Sequence, residues 1–356
     1  MRVGVDARHL TGGRGVAHYT SAMLAALAER FPEDEWLAFV PGRTPLRASP
    51  GVRLVRGRLP SRVLFGSAVL AGRPTIDGLV GKDVDVVWIP APAPVAVSSG
   101  TPYVLTVHDL SWVSHPEWFT GYERAWHRVA RLERLAARAA RVVTVSHATK
   151  REVLEHWPAV APDLVRVVHS GVRKPHPAPE LGPGFPDRFF LAVGPLEPRK
   201  APELLAGAHA RAEERGLDAA LLFVGRGPTL RRRLDPPHLQ ALEDVSDELL
   251  DALYAHAIAL VMPSFHEGFA FPTLEAATLG TPSIVRDLPV YDETLGDAAL
   301  RVSGGEEEWS QALLTIADDD DRRAELGRRA QRAAERFTWE RAADELHGVL
   351  AEAAAE

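Results

Sequence analysis

The sequence predicts an α/β protein built from two doubly wound domains that face each other across a cleft. Short runs of Val, Ile and Leu alternate with helical stretches, which is typical of parallel sheets connected by helices. The alternation stops at residues 173–187, where five prolines and two glycines occur, and then starts again. A segment of that composition forms no regular helix or strand. With 356 residues, the chain is long enough for two domains of ordinary size.

These observations set the predicted boundaries. We predict an N-terminal domain over 1–172, a linker over 173–187 and a C-terminal domain over 188–336. The last stretch, 337–356, is predicted as a helix that packs back on the N-terminal domain. Ligands of such sheets bind beyond the carboxyl ends of the strands, so we expect the functional residues in loops that directly follow strands.

Composition excludes several classes of protein. The chain has no cysteine, which rules out disulfides and cysteine-ligated metal and fits a reducing compartment. Its formal net charge of −7 argues against a general nucleic-acid binder. The opening "MRVGVDARHL" reads as a strand rather than a signal peptide, and no apolar run is long enough to span a bilayer. We therefore expect a cytoplasmic location, either free or at the inner face of the membrane.

The first strand, "RVGVDA" (2–7), leads through a glycine-rich loop into a helix over 16–31. Gly13 and Gly15 in that loop would let the backbone approach a ligand closely, as an anion or sugar site requires. The alternative is an ordinary strand-to-helix turn, because the spacing matches neither the dinucleotide motif nor the P-loop.

His108 and Asp109 follow the apolar strand in "YVLTVHD", so they should emerge at its carboxyl end. A histidine there can donate a hydrogen bond or carry a proton near neutral pH. The alternative is a histidine in a turn capped by Asp109. Two further segments are predicted as helices. Residues 122–140 should form one long arginine-rich helix, and 59–74 should form either a core helix or an element resting on a membrane surface.

Arg199 and Lys200, in "AVGPLEPRKAPELL", follow the first strand of the second half and precede a helix. Adjacent cations at a helix N-terminus are unfavourable for the helix dipole. A bound diphosphate would relieve this conflict through charge-assisted hydrogen bonds. The alternative is a pair of solvated surface cations.

The stretch "SFHEGFAFPTLEA" (264–276) carries two glutamates eight positions apart. Pro272 suits the first turn of a helix, so Glu267 should lie in the loop ahead of the helix and Glu275 one turn inside it. The amides around Ala270, Phe271 and Thr273 should then be free to face a ligand. Glu267 could accept from sugar hydroxyls and Glu275 from a ribose diol, whereas the alternative is one solvated and one capping glutamate. Together, the acid pair, the Arg-Lys pair and the histidine indicate a nucleotide-sugar site.

These same stretches resemble a large family of retaining glycosyltransferases, numbered four, that has the GT-B fold. The resemblance runs essentially from end to end. Its E-x7-E signature is matched by "EGFAFPTLE" and its phosphate loop by "GPLEPRKA". Further recurring blocks are matched by "TVHDL", "VVHSGV", "VSDELLDALY" and "FTWERAADEL". The resemblance implies two Rossmann-like domains and an enzyme that transfers a hexose from a nucleotide sugar.

The resemblance also implies a role for each matching residue. Glu267 and His108 would contact the donor sugar as catalytic residues. Arg199 and Lys200 would hold the diphosphate, with Gly13 and Gly15 bordering it or the acceptor. Glu275 would hold the ribose. Val245 would lie near the base. Backbone contacts would come from Phe269, Ala270, Phe271 and Thr273.

Two positions depart from the family pattern. Pro195 stands where many members have an arginine after the loop glycine, and Ala270 replaces the usual second glycine. The "EPRK" and "HSGV" variants resemble the subgroup rich in mannosyl- and rhamnosyltransferases, which favours GDP-mannose as donor. The acceptor class stays open among a glycan, a lipid-linked acceptor and a small molecule.

The expected mechanism is front-face substitution with retention and no metal or other cofactor, because Arg199, Lys200 and helix amides would bind the leaving diphosphate. The alternatives are a nucleotide-sugar epimerase or hydrolase of the same fold, and a nucleotide-sugar sensor without turnover.

Overall fold

The computed structural model describes residues 1–11, 15–42, 46–57, 61–81, 83–176, 180–227 and 239–356. The chain forms two compact units. The first combines Met1–Gly171 with Phe337–Glu356, and the second is Val172–Arg336. The segment predicted as a linker, 173–187, therefore belongs to the second unit, and its described residues form no helix or strand.

The first unit is built on a seven-stranded, fully parallel sheet with the order β3-β2-β1-β4-β5-β6-β7. The strands are β1 Arg2–Asp6, β2 Glu35–Pro41, β3 Val52–Gly57, β4 Val86–Ile89, β5 Tyr103–Val107, β6 Arg141–Thr144 and β7 Val165–Val167. The order reverses between β1 and β4, as in doubly wound nucleotide-binding sheets.

Helices separate most of these strands, as the alternating sequence pattern predicts, whereas β4 connects to β5 without a helix. They are α1 Val16–Arg30, α2 Ser61–Ala71, α3 Ile76–Val80, α4 Ser111–Ser114, α5 Gly121–Ala130, α6 Leu132–Ala136 and α7 His147–His156. The core of the unit lies between the sheet and these helices and includes Leu37, Leu105 and Val142. Leu64 of α2 is buried in this core, which favours the core-helix alternative for the segment 59–74.

The expectation of one long helix over 122–140 is wrong. Arg131 adopts a left-handed conformation (φ 48°) and divides the segment into α5 and α6. No residue of α5 is buried, whereas Leu132 and Ala136 of α6 enter the core. The break changes the direction of the chain so that α6 can bury its apolar face, and this gain is absent from the helical propensity of the sequence.

The second unit repeats the same plan with a six-stranded parallel sheet of order β10-β9-β8-β11-β12-β13. The strands are β8 Phe189–Val193, β9 Ala220–Val224, β10 Leu239–Leu242, β11 Leu260–Met262, β12 Ser283–Arg286 and β13 Leu300–Val302. The helices are α8 Pro202–Glu214, α9 Asp247–His256, α10 Phe271–Thr278, α11 Val290–Thr294, α12 Glu306–Asp318 and α13 Asp320–Ala334. This order matches the Rossmann sheet, with the reversal between β8 and β11.

The last helix, α14 (Trp339–Ala354), packs on α1 and on strands β4, β5 and β6 of the first unit. Its inner face is apolar and includes Leu346 and Leu350. Arg30 bonds Asp344 at 2.8 Å on the outer side of the same helix. Among the described residues, no helix combines the length and the apolar character that crossing a membrane requires.

The contact between α10 and α13 gives a test of the fold. A methyl group on Gly327 of α13 would overlap the backbone carbonyl oxygen of Gly280. Because a backbone oxygen cannot rotate away, we expect Gly327→Ala to destabilise the second unit by about 1–3 kcal/mol in urea unfolding. Gly348→Ala is the control, since an added Cβ there meets nothing within 4 Å and should stabilise α14 by roughly 0.5–1 kcal/mol. Equal stability of the two variants would contradict this packing.

Candidate functional site

The candidate site of the second unit lies where the strand order of its sheet reverses. The loop after β8 and the loop after β11 meet there, and the amide of Phe265 donates to the carbonyl oxygen of Arg199 at 2.8 Å. A small hollow lies between these loops. Its lining includes Gly194, Pro195, Leu196, Lys200, Pro263 and Ser264. Sheets of this type bind ligands at this point because the flanking connections leave a crevice between them.

A cluster of three charged side chains occupies this position. Lys200 Nζ donates to Glu267 Oε1 at 2.5 Å, and Arg199 Nη1 lies 3.9 Å from Glu267 Oε2. Arg199 Nη1 also donates to the carbonyl oxygen of His266 at 3.2 Å. The side chain of Glu267 is 6% exposed and that of Lys200 is 13% exposed. The cluster is therefore a largely desolvated ion pair with a second cation beside it.

Electrostatics keep Glu267 ionised in this setting. Burial raises the pKa of its carboxyl group, but the charges of Lys200 and Arg199 outweigh burial, so the pKa lies below its ordinary value of 4.5. A group with a lowered pKa stabilises the fold above its unfolded pKa, and that stability is lost as the pH falls through the folded pKa. Glu267 is thus ionised at neutral pH.

The structure corrects the sequence argument about the two cations. Arg199 and Lys200 form a separate one-turn 3₁₀ helix, Pro198–Lys200, and Ala201 in a left-handed conformation (φ 48°) separates them from α8. They do not occupy the first turn of α8, and Glu267 already balances one of the two charges. The helix dipole therefore does not require a bound anion there, and Arg199 lies 3.9 Å from the carboxylates of both Glu197 and Glu267.

The loop before α10 has the arrangement that Pro272 predicts. Glu267 lies ahead of the helix and Glu275 inside it. The helix starts after Ala270, which is buried and left-handed (φ 60°). The expectation of a free amide at Thr273 is wrong, because both its amide (3.0 Å) and its hydroxyl (2.8 Å) donate to the carbonyl oxygen of Ala270.

The aromatic residues of this loop stabilise it from within. Phe269 is buried, and its ring meets that of Phe271 edge to face, with 5.1 Å between the centroids. This pair holds the loop between Glu267 and α10 in one conformation.

Glu275 is oriented by a residue that sequence reasoning missed. The buried hydroxyl of Tyr254, in α9, donates to Glu275 Oε2 at 2.9 Å. Val245, the residue predicted to lie near a base, is buried just ahead of α9. The motif "SDELLDALY" contains Tyr254, but its spacing gives no sign of which acid the hydroxyl would meet.

A second missed feature ties down the start of the segment predicted as a linker. Arg173 binds the buried Asp251 through both guanidinium nitrogens, one at 2.7 Å. The amide of His176 also donates to Asp251, at 2.8 Å. Burial raises the pKa of Asp251, but Arg173 and His176 more than offset it, so the pKa is lowered. A charged residue at a buried helix position is the sequence signal that could have indicated this clamp.

His108 lies in the first unit, directly after β5, as the sequence predicts. Its Nε2 is 2.8 Å from the carbonyl oxygen of Pro90, which follows β4. Desolvation lowers its pKa to about 4, opposed by the Pro90 carbonyl and by Asp109. His108 is therefore a neutral imidazole at pH 7.

The glycine loop is described only in part. Gly15 precedes α1 with φ 81°, a conformation that L side chains rarely adopt. Gly13 lies outside the described residues. Of the predicted site residues, Arg199, Lys200 and Glu267 are brought together. Glu275 and Val245 belong to the same unit, and His108 and Gly15 belong to the first.

The buried pair gives a quantitative test. Replacing Lys200 by Met leaves a buried carboxylate without its closest partner, so we expect Lys200→Met to lose about 3 kcal/mol of unfolding free energy at pH 7. Without Lys200, burial dominates and the pKa of Glu267 rises. A raised pKa lowers stability as the pH increases. The difference in unfolding free energy between the variant and the parent protein should therefore widen between pH 4 and pH 8.

The matched control is the double variant Lys200→Met/Glu267→Gln, which removes both charges and should recover most of the lost stability. Unfolding in urea at several pH values measures all three proteins. A gap that does not change with pH would contradict a buried, ionised Glu267.

Two glycosyltransferase families match the chain in succession. Residues 13–174 match Glycosyltransferase Family 4, and residues 180–333 match Glycosyl transferases group 1. The D-inositol 3-phosphate glycosyltransferase of Salinispora tropica is 30% identical over 294 residues, which is 72% of this chain and 60% of the relative. The O-antigen chain mannosyltransferase RfbU of Salmonella typhimurium is 30% identical over 224 residues, 60% of each chain.

The chain thus spans about 60% of the length of these curated relatives. Among solved structures, Anabaena Alr3699/HepE in complex with UDP and glucose superposes with a TM-score of 0.71 at 17% identity. The match covers 98% of this chain and 99% of that one, and at this identity it supports the fold alone. Together with the two successive family matches and the two parallel-sheet units, these findings show that the chain belongs to glycosyltransferase family 4 and has the GT-B fold.

Proposed function

We propose that the chain is a retaining glycosyltransferase that moves a hexose from a nucleotide sugar to an acceptor. The observation that carries this proposal is the cluster of Arg199, Lys200 and Glu267 at the reversal point of the second sheet. Cleavage at an anomeric carbon makes that carbon positive and the leaving diphosphate negative. A carboxylate beside two cations can stabilise both charges at once.

In the proposed reaction, Arg199 and Lys200 bind the departing diphosphate. Glu267, held ionised by the same cations, lies next to the positive sugar. The leaving phosphate takes the proton of the acceptor hydroxyl, and the acceptor oxygen attacks from the face that the phosphate leaves. Because two cations supply the positive charge, we propose that the reaction requires no metal.

The proposed donor is GDP-mannose. Support comes from the mannosyltransferase named among the relatives and from the "EPRK" and "HSGV" variants of the family motifs. Glu275, oriented by Tyr254, would accept from the ribose diol, and Val245 would lie near the base. His108 would contact the donor sugar through the ring nitrogen that does not bond Pro90, and Gly13 and Gly15 would border the phosphate or the acceptor.

The acceptor is proposed to be a glycan, a lipid-linked acceptor or a small molecule. Action in the cytoplasm and peripheral contact with a membrane surface belong to the same proposal.

A panel of nucleotide sugars tests the donor. We expect GDP-mannose to raise the stability of the protein most, because at equal concentration the tightest ligand gives the largest shift. A ligand at 100 times its Kd adds about 2.7 kcal/mol to the free energy of unfolding. UDP-glucose, UDP-N-acetylglucosamine and GDP alone complete the panel, read by thermal shift. Incubation with the best donor and no acceptor should give slow hydrolysis and no epimer. Rapid formation of an epimer or of free sugar would instead favour an epimerase or hydrolase.

Glu267→Gln tests the catalytic cluster. The amide keeps the shape of the side chain but loses the charge that faces the developing cation, so we expect turnover to fall by roughly 10²–10³ while the circular dichroism spectrum is retained. Glu335→Gln is the matched control, since Glu335 is an exposed glutamate at the end of α13, outside the loops that carry the cluster. Normal transfer by Glu267→Gln would overturn the assignment.

A further inference from the structure

The neutral ring of His108 has a defined tautomer. A carbonyl oxygen can only accept, so the 2.8 Å contact with Pro90 requires the proton on Nε2 of His108. The lone pair of the neutral ring then lies on Nδ1. This arrangement persists only if the ring keeps its orientation, and the contacts that hold the ring come from outside its own loop.

Tyr19 of α1 makes the closest ring contact. Its ring meets that of His108 nearly perpendicularly, with centroids 4.6 Å apart and an interplanar angle of 84°. Tyr19 is fully buried, and burial raises the pKa of its hydroxyl, so it is neutral at every pH at which the protein functions. It therefore restrains His108 by shape rather than by charge.

The ring of Tyr19 also meets that of Trp339. The two rings lie 5.9 Å apart at 60°, and Trp339 also meets His18 at 6.3 Å. Trp339 is the first residue of α14, directly after the chain re-enters the first unit at Phe337. The position of Tyr19 thus depends on where the returning chain is seated.

Gly171 provides the seat for Trp339. It is the last residue of the first unit before the chain leaves it. A Cβ on Gly171 would overlap the backbone nitrogen of Trp339 and lie 2.5 Å from its Cα and its Cγ. Glycine is therefore required for this approach, and the leaving and returning chains are packed against each other here.

We propose that Trp339 and Tyr19 are positioning residues that hold the ring of His108 in its Nε2–H orientation, and that the close packing of Gly171 on Trp339 sets this arrangement. The proposal rests on the proposed function only in assigning His108 to the donor sugar. It predicts that His108 offers Nδ1 as an acceptor for a sugar hydroxyl and does not donate to it. The C-terminal helix α14 would then act on the geometry of His108 indirectly, through Tyr19.

NMR of the imidazole nitrogens tests the arrangement without any substrate. The chain has 14 histidines, so the signals of His108 are assigned by their loss in His108→Gln. In the parent protein we expect the Nε2–H tautomer and a pKa of about 4 for the His108 ring. The groups that act on this titration are the Pro90 carbonyl and Asp109, which favour the charged ring, and His9, which disfavours it. The neutral Tyr19 ring lies against the imidazole.

Two variants disturb the contacts without changing His108. Tyr19→Leu removes the ring against it, and Gly171→Ala displaces Trp339. Both should raise the midpoint of His108 by roughly one unit or more, because the loosened ring gains contact with water, and both should mix the two tautomers. Tyr19→Phe keeps the ring and Gly348→Ala adds a methyl to α14 where it meets nothing, so these controls should match the parent.

Folded Tyr19→Leu and Gly171→Ala proteins with an unchanged His108 tautomer and midpoint would overturn the proposal. If either variant fails to fold by circular dichroism, Trp339→Phe replaces it. That variant keeps a ring, so it should raise the titration midpoint of His108 by a smaller amount. An unchanged midpoint in Trp339→Phe would also overturn the proposal.

An activity measurement separates this proposal from the proposed function. With a donor that is turned over, Gly171→Ala should lower kcat by roughly tenfold, with little change in KM for the donor. Its kcat should also begin to fall at a higher pH than that of the parent as the solution is acidified, because its His108 protonates earlier. Absence of any transfer by the parent protein would refute the function while leaving the NMR result to decide the positioning.

Discussion

The buried contact between Lys200 and Glu267 is the interaction on which the candidate site depends. It connects the loop after β8 to the loop after β11, the two strands between which the sheet order reverses. Two charges at this depth are tolerated because each compensates for the water that the other has lost. Arg199 adds a second positive charge at 3.9 Å from Glu267, and it also lies 3.9 Å from the half-exposed Glu197. A diphosphate that binds here would meet cations already held in position by Glu267, and little reorganisation would be required.

The loops that carry these residues owe their shape to close backbone approaches. An added methyl on Gly225, after β9, would overlap the carbonyl oxygen of Gly194, after β8. The left-handed residues Ala201 and Ala270 each end a loop and start a helix. Alanine pays some conformational cost in this region, which is typical of backbone held by the surrounding fold at functional positions. The site is therefore built from rigid turns rather than from long, adaptable loops.

Both units also contain polar residues whose role is to orient others. Tyr254 orients Glu275, and the Arg173–Asp251 pair ties the start of the segment 173–187 to α9. In the first unit, the Pro90 carbonyl orients His108. Glu275 and His108 are each held through one atom, Oε2 and Nε2 respectively, whereas Asp251 uses both of its carboxylate oxygens. This is how a protein prepares directional contacts before its substrate arrives.

The sequence by itself determined the α/β class and the order of strands and helices through most of the chain, and it predicted Arg199, Lys200 and Glu267, which the structure brings together. These features follow from local patterns, since apolar periodicity specifies an element and residues after a strand must emerge at its carboxyl end. Only the tertiary structure decided that Lys200 pairs with Glu267 and that the amide of Thr273 donates to the carbonyl oxygen of Ala270. The same holds for the break at Arg131 in the segment 122–140 and for the contact of Trp339 with Tyr19. Each of these depends on through-space contacts or on competition for burial, and a one-dimensional pattern contains neither the distances nor the burial that decide such contacts.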